Sequence, residues 1–439
     1  MTIASPSNVT ADVAIVGGGF AGLAAARDLT RAGLSVKLFE GRDRLGGRTW
    51  YRDSSLGRPL EFGGGFVHWT QPHVWADLVA YGLELEPVDP VDTVYWIGDS
   101  GVKKTPIDQY RAFVGQGQAA LAAGALKAFP QPHEPFPLTH EAIKADQVSV
   151  ADRIAQLGLP EELAQILRGH WTLSFSGSTA DGAWSQILRH TALAGGVWQM
   201  RAESASTYII RGGTTQFVDA FAADTDAEIH LSTTVRAIRS TGESASIETE
   251  NGDTFHARHV IVTVPLNVLG SIEFEPALSD VKQAAAQQGQ VSTGFKVWMR
   301  AKGKVDRFIA FAPDSYPLTM MGYEYELDGD TILLGFGPRT NDLDLTDVRA
   351  VEAAVRQWRP DIELVGVDAH DWSADPLAGE TWAMLRTGQL SGQIEELIRP
   401  EGPVRIAGSD YALGWSGHID GAIESGRRAA REIIREQGR

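Results

Sequence analysis

Apolar and polar positions follow one another along this chain in a few distinct rhythms, and those rhythms predict most of its elements. Residues 12–16 form a short apolar run that stops at Gly17-Gly18-Gly19, the pattern of a buried strand ended by a turn. Residues 23–29 change to an alanine-rich helical rhythm, Gly33 stands where a helix C-terminus wants it, and residues 36–39 turn apolar again before Glu40. Strand, glycine turn, helix, strand and acid in that order form the unit that lays a dinucleotide pyrophosphate on a helix N-terminus. Gly17 allows the sharp turn, Gly19 lets the backbone approach phosphate, Gly22 lets helix and strand pack closely, and Glu40 accepts from a ribose hydroxyl.

Beyond residue 85 the pattern loosens. Residues 86–200 read as irregular and helical, with Pro130, Pro132, Pro135 and Pro137 marking a long excursion. Ser149 reads as the N-cap of a helix through residue 157, and Pro160 opens another to about residue 167. Residues 229–238 and 260–264 predict strands, the second stopped by Pro265, and residues 247–256 predict a hairpin around Asn251-Gly252. Further strands are expected at 295–299, 309–311, 332–336, 362–367 and 404–407. Thr346 is expected to cap a helix ending before Pro360, and a last amphipathic helix starts near Gly417. Neither internal repeats nor low-complexity tracts interrupt the chain.

Composition narrows the function classes. The 439 residues carry a net charge of −17, from 56 acids against 39 bases, which repels nucleic acid and anionic membranes. There is no cysteine, so disulfides, thiolate catalysis and cysteine-rich metal sites are excluded. Residues 1–10 show no export signal, and no apolar run approaches the roughly 20 residues that span a bilayer. The reading is a cytoplasmic protein without a membrane tail. No His/Asp/Glu spacing matches a metal site, and no Gly-x-Ser-x-Gly elbow points to a hydrolase.

Three blocks carry a resemblance. Arg42, Arg44, Gly46-Gly47-Arg48-Thr49 follow the glycine unit; Glu61-Phe62-Gly63-Gly64-Gly65 comes next; Ala407-Gly408-Ser409-Asp410 and Trp415-Ser416-Gly417-His418-Ile419-Asp420-Gly421-Ala422 stand near the end. In this order they resemble the flavin-containing amine oxidases over nearly the whole chain. The segments around Gly294, Asp371-Trp372, Asp375-Pro376-Leu377 and Trp382 are most similar to the bacterial 6-hydroxynicotine oxidase branch.

The resemblance implies an α/β architecture: a Rossmann-like FAD-binding domain (1–85, 201–270 and 396–439) interleaved with an α+β substrate-binding domain (86–200 and 271–395). It implies FAD, held noncovalently because no cysteine can bond it. The residues it places around FAD are Gly17, Gly19, Phe20, Ala21, Gly22, Glu40, Gly41, Arg42, Gly47, Arg48, Gly63, Gly64, Gly65, Phe66, Val235, Val264, Gly408, Asp410, Gly417, His418, Ile419 and Ala422. A helix starting near Gly417 would aim its positive end at the pyrimidine side of the isoalloxazine. Lys296 aligns with the lysine that holds a water beside flavin N5. Trp382 and His418 align with the pair of walls flanking the substrate nitrogen, where the second is usually an aromatic such as tyrosine. Histidine there is smaller, hydrogen-bonds and titrates near neutral pH, which predicts a substrate with an extra polar group or a pH-sensitive rate. Phe175, Trp184, His190 and Tyr323 lie in segments that line the substrate cavity in relatives.

The implied reaction is oxidation of a small heterocyclic or aralkyl amine by hydride transfer to flavin N5. The imine hydrolyses to a carbonyl compound, and O2 is reduced to H2O2. The alternatives are an amine dehydrogenase with another acceptor, an L-amino-acid oxidase with Arg386 as its only nearby carboxylate clamp, and a noncatalytic FAD-binding subunit. The implied partners are the amine and O2, with a homodimer left open.

Overall fold

An eight-stranded sheet grows outward from the strand Ala11–Val16, which pairs in parallel with Val36–Phe39 on one side and Thr254–Val262 on the other. The computed structural model describes residues 10–98, 101–313, 315–338 and 343–438; the first nine residues of the stretch read for export signals lie outside them, as does residue 439. The helix Phe20–Arg31 follows the glycine turn and packs against one face of the sheet, together with Pro72–Ala80, Thr215–Ala223 and Ile419–Glu436. Val13, Ile15, Leu23, Leu38 and Ile261 are wholly buried between these layers. Continuous apolar runs are what strands covered on both faces require.

The long strand Thr254–Val262 divides its outer edge. Its first half pairs antiparallel with Ala245–Thr249, and its second half pairs in parallel with Val404–Ile406. The C-terminal glycine block is thereby brought beside the N-terminal one, at the carboxyl edge where parallel sheets place ligands. The predicted hairpin around Asn251-Gly252 is present, Ala245–Thr249 pairing antiparallel with Thr254–Val262; the structure differs only in that its second arm runs on into residues 260–262, so that 260–264 is not a separate strand. A loop over 250–253, with Gly252 at φ +90°, turns the chain into a single strand.

The run 229–238 is likewise two strands, Glu228–His230 and Val235–Ser240. The break comes at Ser232, φ +51°, where Ser232 and Thr233 donate their N–H groups to Arg42 O and Glu40 O, each at 2.8 Å. A continuous strand would carry residues 233–235 past the nucleotide unit; the break presses them against it.

A second, seven-stranded sheet runs in the order Leu364–Asp371, Phe295–Ala301, Asp330–Gly337, Met320–Leu327, Phe308–Phe311, Thr93–Gly98, Gly101–Pro106. Two parts were absent from the sequence reading. Residues 93–106 form a hairpin rather than helix or irregular chain, and Met320–Leu327 is hidden by a glycine and two acids in its sequence. The strand Glu273–Glu275 pairs in parallel with Val235–Ser240, so the first sheet extends past the expected boundary at 270. The helix after Pro160 runs Glu161–Phe175, well beyond residue 167. Ser149 caps Val150–Gln156 through Asp152 N–H as expected. Thr346 caps nothing: its hydroxyl donates to Asp344, and Asp347 accepts from Arg349 N–H to start Val348–Val355.

Among the described residues, no helix is long and apolar enough to cross a membrane, and no cluster of His, Cys, Asp or Glu could hold a metal ion.

Candidate active site

One cavity of about 520 Å³ threads both sheets. At its sheet end it is lined by Gly17, Gly19, Phe20 and Ala21 from the glycine turn, with Glu40, Gly41 and Arg42 beside them. Gly17 sits at φ +110°, a backbone state open chiefly to glycine. A Cβ at Gly22 would fall 2.0 Å from Gly17 O, so this residue does not line the cavity but lets the helix start directly on the turn. No side chain caps that helix and no acid lies in its first turn, leaving its N-terminal dipole free to meet an anion. Both Glu40 oxygens are already engaged, by Gly18 N–H at 2.7 Å and Arg42 N–H at 2.8 Å, which fixes the carboxylate with lone pairs still available. Val235 and Val264 close this end.

The middle of the cavity is bounded by Gly47, Arg48, Gly63, Gly64, Gly65 and Phe66 against Gly408, Gly417, Ile419 and Ala422. Arg48 grips both Asp410 and Glu380 and also donates to Ser409 Oγ at 2.7 Å and Thr381 O at 3.0 Å. Burial and the neighbouring Asp410 push the Glu380 carboxyl well up; burial raises Asp410 too, but Arg48, Glu380 and Leu266 N–H together outweigh it and hold Asp410 below the usual carboxylate range. The two carboxyls are thus pushed in opposite directions under one guanidinium. Asp410 itself does not line the cavity; its other oxygen takes Leu266 N–H at 2.8 Å. Its part is to fix Arg48, which does line it.

Lys296 enters from the second sheet. Its strand places it between Phe336 and His370, and Nζ donates to Gly63 O at 3.0 Å. Trp298 Nε1 donates to Glu61 O at 3.0 Å and Trp372 Nε1 to Phe62 O at 2.8 Å. Three consecutive carbonyls, of Glu61, Phe62 and Gly63, are thus bonded to two side chains of the other sheet and to Trp372 just past its edge strand. That fastening sets the spacing of the cavity walls.

Glu324 also faces the cavity here, and sequence reasoning missed it. Met320–Leu327 slips register between Tyr323 and Tyr325, so Glu324 is the extra residue of a β-bulge, a device that re-aims a side chain. Burial pushes its carboxyl up to about 7 from 4.5, with Lys296 opposing. Burial lowers Lys296 in turn, against the pull of Glu61 and Glu324. A folded-state pKa raised above the unfolded one gives stability that is present below the unfolded value and lost as pH rises through the folded one. Glu324→Gln never ionises, so it should melt at higher temperature than the parent at about pH 8 and show a much smaller gain at about pH 5. Thermal unfolding at the two pH values tests this; an equal difference at both would remove Glu324 as the titrating group.

The far end is a chamber walled by Trp382, Phe336 and His418, with His170, His190, Ser174 and Arg201 behind them. Trp382 Nε1 donates to Ser174 O at 2.8 Å, and its ring stands edge-on to Phe336. A Cβ at Gly417 would fall 2.6 Å from Ala383 O, so the segments bearing Trp382 and His418 lie in contact. Nδ1 of His418 bonds Ser416 O at 2.8 Å; a carbonyl only accepts, so Nδ1 carries the proton and Nε2 keeps its lone pair. Burial lowers His418 to about 4, and His170 likewise. His190 is lowered further by burial and by His418. Burial thus moves His418 below the neutral range in which a free imidazole titrates.

The remaining substrate-pocket residues fall elsewhere. His190 lines the chamber, but Phe175 and Tyr323 are packed into two different apolar clusters. Trp184 lies over Arg153 with Nε1 on Leu121 O at 2.8 Å. An aromatic side chain reads the same in sequence whether it fills a core or faces a void. Arg386 pairs with Asp181 at 3.3 Å, away from the cavity lining.

Comparison with known proteins agrees with this architecture. The family model described as flavin containing amine oxidoreductase matches residues 20–434. The chain is 35% identical to pseudooxynicotine dehydrogenase of a Pseudomonas species over 433 residues, covering 97% of this chain and 87% of that protein. It is 30% identical to (S)-6-hydroxynicotine oxidase of Paenarthrobacter nicotinovorans over 441 residues, covering 96% and 99%. The solved structure of cyclohexylamine oxidase from Brevibacterium oxydans matches with a TM-score of 0.83 at 21% identity, over 98% of this chain and 100% of that one, which shows the same fold.

Proposed function

The chain belongs to the flavin containing amine oxidoreductases, and from that premise we propose that it oxidises a small heterocyclic or aralkyl amine, with O2 as acceptor. The amine loses two electrons and two protons to give an imine, water adds and splits it to a carbonyl compound and ammonia or a smaller amine, and O2 becomes H2O2. FAD is the family's cofactor, and the residues present suit it: a glycine turn opening a helix, Glu40 beside it, and two further glycine segments along one cavity. Once bound, FAD would supply the two-electron acceptor for the hydride that leaves the amine's α-carbon.

The chain's own residues supply orientation, dryness and charge. Gly17, Gly19 and the first turn of Phe20–Arg31 would hold the diphosphate, and Glu40 a ribose. The N-terminus of Ile419–Glu436 presents its positive end to the middle of the cavity, where electron density would accumulate. Trp382 and His418 would exclude water and orient the amine. Lys296 would hold or move a proton at Nζ.

The observation that carries this reading is the chamber itself. Glu40 and Glu324 are the only acids lining the cavity among the described residues, and neither stands among the three neutral histidines and Arg201. A chamber without an anion disfavours ammonium and favours the neutral, lone-pair-bearing amine from which a C–H bond can be broken.

The test is anaerobic bleaching of the yellow protein with a panel of heterocyclic and aralkyl amines. At least one is expected to bleach it, and trichloroacetic acid is expected to release all the FAD into solution. A protein that bleaches with none would be a noncatalytic FAD-binding subunit. A second reading, transfer to an acceptor other than O2, is favoured by the name of the relative at 35% identity, a dehydrogenase. Stopped-flow reoxidation in air separates the two, because reoxidation slower than turnover rules out O2.

A further inference from the structure

Arg201 is the one cation among the chamber residues, and no acid of the described residues neutralises it. It lies on the helix Trp198–Glu203 and lines the cavity beside His170, His190 and Ser174. Its guanidinium stacks over Trp171, 4.5 Å from the ring centre, and makes one long hydrogen bond, 3.5 Å, to Ser174 Oγ. No carboxylate of the described residues pairs with it, although this chain is rich in acids. The other arginines of the cavity contrast with it: Arg42 is held by Asp375 at 2.7 Å, and Arg48 by Asp410 and Glu380.

A guanidinium has five N–H donors in a planar fork. Stacking on Trp171 holds that plane in place and satisfies none of them. Burial lowers the group to about 10, and no acid opposes the shift; it stays charged near neutral pH. Its positive field reaches His170, His190 and His418, helping to keep all three neutral. The charge thus sits within the chamber. A cation so placed repels a substrate ammonium and offers donors to an oxygen.

We propose that Arg201 receives a carbonyl or carboxylate oxygen at the end of the substrate remote from the amine, so that the preferred amines carry such an oxygen. This rests on the amine-oxidation reading and narrows its substrate class. Arg201 is then the specificity-determining residue, and Trp171 and Ser174 hold its fork in register.

The test has two arms, both on the FAD-loaded protein. In the first, benzoate is titrated into parent, Arg201→Met and Arg201→Lys, and its Kd is read from the perturbed flavin absorption. A charge-assisted contact predicts a Kd about 10- to 100-fold weaker in Arg201→Met, with Arg201→Lys between the two. In the second, anaerobic bleaching compares benzylamine with 4-acetylbenzylamine and with 4-(aminomethyl)benzoate. The parent is expected to prefer an oxygen-bearing partner in limiting rate over half-saturating concentration, and the preference should collapse towards one in Arg201→Met. The ketone and carboxylate partners separately show whether a neutral or an anionic oxygen is taken. Equal benzoate affinity in parent and Arg201→Met overturns the proposal, as does an unchanged preference among amines that do bleach the protein. Absence of bleaching by any amine overturns the amine-oxidation reading instead, while the benzoate arm still reports on Arg201.

Discussion

Arg48→Met should unfold at markedly lower denaturant concentration than the parent and release FAD ahead of the parent. Arg48 is the only cation bonded to Asp410 and Glu380 among the described residues, and those carboxyls are 3% and 0% exposed. Removing one partner of such a group strands the other in a medium that cannot solvate it, which costs about 3–5 kcal/mol. Thr381 O and Ser409 Oγ lose a donor as well. Arg48→Met with Asp410→Asn removes the stranded charge and should recover a large part of the loss, since Asn still offers an oxygen to Leu266 N–H. Urea unfolding of the holoprotein, followed by flavin fluorescence, measures both. A midpoint for Arg48→Met equal to the parent's would show that the triad contributes nothing, and a double variant no better than the single would show that the cost is packing rather than charge.

The triad also marks where sequence stops being informative. The glycine turn, Gly22 and Glu40 were legible because each follows from local rules: a turn that needs positive φ, a helix that must start close, an acid at the end of the next strand. Arg48 and Asp410 came only through resemblance, being 362 positions apart, and Glu380 came not at all. Pairing over such distances depends on how the strand Thr254–Val262 divides its edge, which no local pattern records. Glu324 was hidden by a bulge, because one extra residue reverses the inward and outward alternation that makes strands readable. Arg201 lies in a six-residue helix, too short to show an amphipathic period. Phe175, Trp184 and Tyr323 fail in the opposite direction: burying a large ring is favourable wherever it occurs, so aromatic character alone cannot distinguish core from pocket.

Lys296→Met should retain FAD and lose about 100-fold in turnover, the lower range for removal of a proton-transferring group. Retention follows because Gly17, Gly19 and Glu40 stand at the edge of the first sheet and, among the described residues, the side chain of Lys296 hydrogen-bonds Gly63 O alone. The loss follows because Lys296, 6% exposed, is the cavity's only lysine among the described residues. Its pKa, lowered by burial, brings Nζ closer to giving up a proton. Two roles must be separated, since Nζ also fastens the turn. Lys296→Gln keeps a donor for Gly63 O but cannot carry charge or exchange a proton. If fastening is what matters, the Gln variant regains most of the activity; if the ammonium matters, it stays as slow as Met. The second outcome is expected, because Trp298 and Trp372 still hold Glu61 O and Phe62 O, the two carbonyls just before the lost contact. The Met variant also removes the charge that lowers Glu324, so the step that Glu324 contributes near pH 7 should move upward. Unchanged turnover in Lys296→Met would remove Lys296 from the chemistry, and an unmoved step would separate it from Glu324.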